Sequence, residues 1–349
     1  MKIGILTLPF SPNYGWALQL WALTRFLKAN GHEPIVIERK WNRESENLLY
    51  KFQCFVYYHI LCRHLWRFNE TRFVKTGVIR SGSKIPHNQF DAFIVGSDQV
   101  WRIENTRGAD LNFFLDFLPD DSKSLRIAYA ASFGKDQWKG TKKETEEVGR
   151  LLKKFDFVSV RENTGVSLCK EIFNVEARHV LDPTLLLSRT DYNQLIGCKK
   201  GGKHVLATYI LDATDNTKKI TDNISKYLSL SVHHLFKRSN TSFYVYHSIE
   251  HWLQMMRDAD FVVVDSFHGL CFCLAFDKQF LVIANKKRGL TRFISLLESV
   301  GLQNRLIYED CEDAIEICKE QIDFIPVRER LKEMRLTSSE LLLNALSKN

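Results

Sequence analysis

Short apolar runs along this chain stop abruptly at small, polar or charged residues. Ala92-Phe93-Ile94-Val95 gives way to Gly96-Ser97-Asp98, Ile127 to Ala131 gives way to Ser132-Phe133-Gly134, and Phe157 to Val160 gives way to Arg161-Glu162. A run that is apolar at every position suits a strand buried on both faces, the parallel strand of an α/β fold. The N-terminus supplies a complete unit of this kind. Ile3 to Leu8 is a strand and Pro9 to Gly15 a loop rich in breakers. Trp16, Leu20, Leu23 and Leu27 fall at helical spacing, Asn30-Gly31 is a stop, and Pro34 to Ile37 is a second strand. This is a βαβ unit, and Leu181-Asp182-Pro183 closes the first series.

The second half repeats the style. Strands are expected at Val205 to Leu211, Val232 to Phe236, Phe261 to Val264, Phe280 to Ala284 and Arg305 to Tyr308. Helices are expected at Asn216 to Leu228, Ile249 to Ala259, His268 to Phe276, Thr291 to Val300 and Asp310 to Gln321. Pro326 suits the first residue of a last helix reaching Leu346. The expectation is an α/β protein of two Rossmann-like domains facing a cleft: residues 1–190, residues 203–325, and a C-terminal helix over 326–349. The boundary lies near Ser188 to Lys203, where Gly197 to Lys203 has linker composition.

The composition of the 349 residues, 45% hydrophobic and 26% charged, excludes general disorder and provides for real cores. The net charge of +8 favours an anionic partner. Most of it sits between Tyr50 and Asn88, where Lys51, Arg63, Arg67, Arg72, Lys75, Arg80 and Lys84 face Glu70 alone. Tyr50, Phe52, Phe55, Tyr57, Tyr58, Trp66, Phe68 and Phe73 are interleaved with them. Such an insert suits either an anionic membrane interface or a buried helix pair at a domain or subunit contact, and it carries no recognised nucleic-acid signature. The eight cysteines read as small core hydrophobes in a reducing cytoplasm, because Met1 to Leu6 runs straight into a strand without a secretory leader. Cys271-x-Cys273 has no second pair at zinc-ligand spacing, and no apolar run is long enough to span a bilayer.

Chemistry concentrates where strands end. In Asp265-Ser266-Phe267-His268-Gly269 a strand gives way to a helix, whose free N–H groups attract an anion. Ser266 can cap, Gly269 permits close approach, and His268 can exchange a proton near neutral pH. A capping serine beside a satisfied core histidine is the alternative. Arg161 can hold a carboxylate in a two-pronged contact, or form an ion pair with Glu162 or Asp182. Asn285-Lys286-Lys287-Arg288-Gly289 suits a phosphate, with Lys286 and Lys287 read as solvated and Arg288 and Arg292 sharing a face. Asp98 and Gln99 of Gly96-Ser97-Asp98-Gln99 are placed to bind sugar hydroxyls, with Trp101 as an apolar platform or else as a packed side chain. Asn13-Tyr14-Gly15 is a turn before a helix and lacks the spaced glycines of a dinucleotide fingerprint.

Together these segments resemble the polysaccharide pyruvyl transferases. The resemblance rests on Asn13-Tyr14-Gly15 with Leu18-Gln19, Phe90 to Trp101, Tyr129 to Gly134, Ser159 to Glu162, Leu181 to Thr184, Asp265 to Gly269 and Asn285 to Gly289, in that order. It implies a two-domain fold of the GT-B glycosyltransferase type and transfer of a pyruvyl group from phosphoenolpyruvate to sugar hydroxyls as a ketal. Arg161 then holds the donor carboxylate and His268 acts as acid–base or phosphate contact. The remaining substrate-binding candidates are Asn13, Tyr14, Gly15, Gly96, Ser97, Asp98, Gln99, Trp101, Ser266, Gly269, Asn285, Arg288 and Arg292. The acceptor is an oligosaccharide or lipid-linked glycan, and neither a cofactor nor a metal is expected. The chain departs from the family pattern at Trp16, where many members carry a second small residue, and at Ser266-Phe267, where many place an arginine. Arg288 or Arg292 is expected to replace that charge. Two alternatives share the fold or the composition: a nucleotide-sugar glycosyltransferase, and a non-catalytic membrane- or partner-binding module.

Overall fold

The computed structural model describes residues 1–40, 48–80, 85–106, 111–197, 204–238, 244–285 and 288–347. Two parallel sheets organise it. In the first half, β1 (Lys2–Leu6), α1 (Tyr14–Ala29) and β2 (Glu33–Val36) form the expected unit. A two-residue parallel pair, β3 (Arg39–Lys40) and β4 (Ile79–Arg80), flanks the insert helices α2 (Leu48–Val56) and α3 (Arg63–Arg72), which a single π turn joins. Then follow β5 (Ala92–Val95), α4 (Ile103–Thr106), β6 (Leu125–Ala131), α5 (Lys142–Leu152), β7 (Phe157–Val160), α6 (Asn163–Phe173) and β8 (Arg178–His179). The six-stranded sheet runs β2-β1-β5-β6-β7-β8, parallel throughout.

Two short helices, α7 (Pro183–Leu186) and α8 (Arg189–Ile196), lead to the second sheet. That half contains β9 (Val205–Tyr209), α9 (Asp215–Leu228), β10 (Ser231–His234), a small hairpin of β11 (Lys237–Arg238) and β12 (Tyr244–Val245), α10 (Ile249–Asp258), β13 (Phe261–Val264), α11 (Phe267–Ala275), β14 (Gln279–Ile283), α12 (Thr291–Val300), β15 (Leu306–Ile307) and α13 (Ala314–Lys319). The order β10-β9-β13-β14-β15 is again all parallel. Each sheet reverses its strand order once, at β1/β5 and at β9/β13, and the crevice beyond those strand ends is where α/β sheets bind ligands.

Several boundaries differ from the sequence reading for physical reasons. The strand expected to reach Leu211 stops at Tyr209, because the N–H groups of Leu211 and Asp212 turn to the carboxylate of Asp265 (2.7 and 3.0 Å). Ser188, placed in the boundary, instead caps α8 in a reciprocal box with Asp191. Residues 198–203 of the expected linker lie outside the described residues. The last helix, α14 (Phe324–Leu346), begins two residues before Pro326 because Asp323 caps it (2.9 Å to the Ile325 N–H); proline is tolerated there, since the first N–H groups of a helix have no intrahelical partner. The helix expected from Asp310 shortens to α13.

One apolar core runs through both halves, and each half has a smaller cluster of its own. Helix α1 is buried on most of its circumference because α7 and α11 pack against it as well as the sheet. Tyr14, at its start, reaches into the second half and stacks on Trp252 (ring centroids 5.2 Å apart, planes 15° apart), beside Tyr209 and Tyr246. Helix α14 crosses back: Ser338 accepts from the Leu181 N–H (3.0 Å), Arg335 donates to the Leu185 carbonyl (2.7 Å), and Arg330 donates to the Val300 carbonyl (2.7 Å). Trp252→Ala removes the partner of Tyr14 and leaves a cavity at the seam. Urea denaturation is expected to show a loss of about 3–5 kcal/mol, and a loss below about 1 kcal/mol would deny that this stack holds the halves together.

Candidate functional site

The site lies where the strand ends of both sheets meet. Arg161 follows β7 and Asp182 caps α7, both in the first half, while His268 stands in the first turn of α11 in the second. All three are buried. Arg161 Nη1 donates to Asp182 Oδ2 (2.7 Å) and to Ser97 Oγ (3.2 Å), and Ser97 Oγ donates to the same carboxylate oxygen (2.8 Å). His268 Nε2 lies 3.6 Å from Asp182 Oδ2 and 3.5 Å from Arg161 Nη1. The other carboxylate oxygen accepts from the Thr184 N–H and hydroxyl (3.0 and 2.7 Å). Arg161 and His268, drawn from different halves, are therefore brought together, and the ion pair with Asp182 also forms.

Arg161 is only partly used by these contacts. Its Nε and Nη2, the side-on fork of the guanidinium, are buried without a hydrogen-bond partner, although Asp98 Oδ1 stands 3.8 Å from Nη2. The Cζ atom lies 4.6 Å from the centroid of the Phe267 ring, and Cζ of Arg292 lies 5.6 Å from the same centroid. Arg292 is itself buried, donates through Nη2 to the Arg288 carbonyl (2.7 Å), and leaves Nε unpartnered. Two guanidiniums thus sit over the Phe267 ring.

Electrostatics follow from burial and neighbours. Burial opposes ionisation of Asp182, but His268 and Arg161 outweigh it and hold the carboxyl well below the usual range. Burial also works against Arg161, yet Asp182, Asp98 and Glu162 raise its pKa. Burial and then the charge of Arg161 bring the Arg292 pKa down to about 10. Glu162 is pushed up by burial although Oε1 accepts from Ser132 Oγ (2.9 Å) and the N–H groups of Phe133 and Gly134 (2.9 and 3.3 Å).

The N-terminal turn completes the site from the other side. Asn13 caps α1 by accepting from the Trp16 N–H (3.2 Å). Tyr14 donates to the His247 carbonyl (3.1 Å). Gly15 faces the imidazole of His268, and a Cβ there would collide with its ring. Asp98 has positive φ (87°), accepts from the Gln99 N–H (2.8 Å), and bridges to Ala131. Gln99 accepts from Arg102 (3.0 Å) and packs against Gly134. The Gly96 N–H donates to the Leu6 carbonyl (2.7 Å).

Several candidates stand differently from expectation. Trp101 is no exposed platform: it is fully buried, stacks on Phe114 (5.5 Å, 12°), and donates to the Phe113 carbonyl (2.9 Å). Ser266 starts α11 but its hydroxyl makes no capping bond. Gly269 faces Val264 and Tyr209, so its missing side chain serves helix–strand packing rather than a ligand. Arg288 and Arg292 do not act as one face. Arg288 pairs with Asp212 (2.6 Å), which Asn285 also contacts (2.7 Å), while Arg292 joins Arg161. Lys286 and Lys287 lie outside the described residues. The sequence offers Glu162 only as an ion-pair partner of Arg161 and Phe267 only as a departure from the resemblance, since a charged residue or ring after a strand looks the same whether it serves packing or the site.

No curated protein matches the sequence. Solved structures share the fold. A UDP-GlcNAc 2-epimerase from Neisseria meningitidis bound to UDP-GlcNAc is 12% identical over 100% of both chains (TM-score 0.52). The S. aureus MnaA–UDP co-structure is 13% identical over 99% of this chain and 95% of that one (TM-score 0.55). A putative UDP-N-acetylglucosamine 2-epimerase from Listeria monocytogenes is 9% identical over 99% and 95% (TM-score 0.54). The family model for polysaccharide pyruvyl transferase matches residues 13–287, a span that contains Gly15, Arg161, Asp182 and His268, and the chain belongs to that family of transferases.

Proposed function

We propose that the protein transfers a pyruvyl group from phosphoenolpyruvate to two hydroxyls of a glycan, releasing phosphate. The observation that carries this reading is the unpartnered side-on fork of Arg161 beside His268. A buried guanidinium with Nη1 fixed, and with Nε and Nη2 lacking hydrogen bonds though Asp98 lies 3.8 Å from Nη2, is oriented for a carboxylate. Arg292, over the same ring, supplies a second cation for the phosphate.

In the chemistry, the donor methylene takes a proton, which makes the adjoining carbon electrophilic. One sugar hydroxyl adds to that carbon and gives up its proton. The carbon–oxygen bond to phosphate breaks, and the neighbouring hydroxyl adds in turn to close the ketal, its proton leaving with phosphate. His268 delivers or removes these protons, with Asp182 orienting the imidazole. Because Arg161 is only 2% exposed and His268 7%, entry of the donor requires groups that cover them to move aside.

Phosphate release from phosphoenolpyruvate in the presence of lipid-linked oligosaccharides tests the reading. His268→Ala is expected to slow transfer by about 10²–10⁴-fold. Arg161→Lys, which keeps the charge and loses the fork, is expected mainly to raise KM for the donor. Unchanged kinetics in either variant would remove its role. A second reading, nucleotide-sugar transfer, is favoured by a groove of about 350 Å³ at the carboxyl edge of the second sheet, lined by Asp212, Thr214, Asn216, Tyr308 and Glu309 among others. Its acidic lining, offset only where Arg288 pairs with Asp212, disfavours a diphosphate, which favours the first reading. Turnover of a UDP-sugar without turnover of phosphoenolpyruvate would reverse that preference.

The folded carboxyl of Asp182 titrates below its ordinary value of about 3.9, so the folded state binds fewer protons than the unfolded state there. Its stabilisation is full above about pH 4 and is lost as pH falls through the folded value. Asp182→Asn is therefore expected to lower stability near neutrality by about 3–5 kcal/mol and to flatten the acid limb of a denaturation series. An acid limb as steep as in the unmodified protein would sink this account.

The insert is proposed to rest on an anionic membrane surface. No helix among the described residues is long and apolar enough to cross a bilayer. Leu65, Phe68 and Phe73 pack inward, as the buried-pair alternative required, but Phe52 (63% exposed), Phe55 (56%) and Ile60 (56%) face outward, and Arg63, Arg67 and Arg72 are exposed. The side chains of Tyr50 and Lys51, and all of Lys84, lie outside the described residues. Salt-sensitive flotation with anionic liposomes is expected, reduced at least about tenfold by Phe52→Ser with Phe55→Ser. Equal flotation of the double variant would reject the contact.

A further inference from the structure

We propose that His233, His247 and His251 form a binding site for one divalent transition-metal ion of the zinc class. The three come from different places: His233 from β10, His247 from the segment after the small hairpin, and His251 from the first turn of α10. One ligand atom from each lies within 4.8 Å of the others. The rings of His247 and His251 are 4.7 Å apart by centroid, and His233 lies 6.1 and 5.9 Å from them. All three are half-buried, and Nε2 of His233 is buried without a hydrogen-bond partner. Such an atom is costly in a folded protein unless something binds it.

The donor set fits the ion. Zinc binds imidazole nitrogen at about 2.0–2.1 Å, so side-chain rotation has only to draw the nitrogens together. A purely imidazole set selects zinc, nickel or copper over magnesium and calcium, which prefer oxygen. Burial, and then the neighbouring histidines, lower the pKa values of His247 and His251, which favours the neutral ligand form. Three protein ligands leave a fourth position for water.

The position has a consequence for the fold. The His247 carbonyl holds the Tyr14 hydroxyl across the seam, and Gly15 follows against His268. An ion on the His247 ring fixes the segment that holds Tyr14, and so stiffens the seam without touching the reacting groups.

Equilibrium dialysis of the full chain against zinc chloride, with metal content measured, is expected to give one equivalent per chain and a raised Tm. Cobalt is expected to give a tetrahedral visible spectrum without a thiolate charge-transfer band, separating this site from the cysteines. His233→Gln and His251→Gln are each expected to weaken binding beyond the ~100-fold range of outer-shell losses. Failure to bind an equivalent, or retention of wild-type affinity by these variants, would overturn the proposal. Should a variant fail to fold, protection of the three imidazoles from diethylpyrocarbonate by zinc in the unmodified protein decides: protection supports the site, and equal acylation with and without zinc rejects it.

Discussion

Asp182 is the carboxylate on which the rest of the site depends. One of its oxygens contacts Arg161 and Ser97 and approaches His268, while the other caps α7 through Thr184. Removing such a carboxylate from water is costly, and the cost is met only because a guanidinium, a hydroxyl and a helix start all converge on it. Arg161 and Asp182 belong to the first half and His268 to the second, so the pairing also sets how the halves meet.

The remainder of the seam accommodates that convergence. Gly15 leaves space for the imidazole of His268, and Gly289, with φ of +84°, leaves space for the Gly134 carbonyl. At both places any side chain would push the halves apart. Tyr14 and Trp252 supply the apolar contact, and the Asn163 N–H donates to Ser295 Oγ (2.9 Å) farther along the same line. Family features that look like separate motifs in the sequence are thus one interface seen from two sides.

Much of the fold was legible because buried parallel strands are apolar at every position and end in polar punctuation. Ala92–Val95, Phe157–Val160 and Phe261–Val264 sit where the pattern puts them. Helices α5 and α6 were not read, although the Thr141–Glu144 capping box announces the first. In the site, Arg161 and His268 were legible from motif order, but whether Arg161 paired with Asp182 was open until the chain was folded. Trp101 could not be judged from sequence, because an indole beyond a strand end has the same neighbours in sequence whether it lines a cleft or, as here, stacks on Phe114. Ser266 looks like a cap by position, yet capping depends on a rotamer that position does not encode. The three histidines escaped notice because His233 meets His247 and His251 only in the folded chain.

At Ser266-Phe267, where the resemblance implies an arginine, Phe267 places a phenyl ring. An arginine at that position would add a third guanidinium to a buried space already shared by Arg161 and Arg292, whose pKa is depressed to about 10. A phenyl ring instead presents a face to both cations and adds no charge. The positive charge is then carried by α12 of the second half rather than by α11, and it stands beside Arg161 of the first half, whose Nε and Nη2 make no hydrogen bond. An anion bound there would neutralise the mutual repulsion of two arginines on opposite halves. Asp182, Asp98 and Glu162 already offset part of that repulsion, and a bound anion would offset more of it.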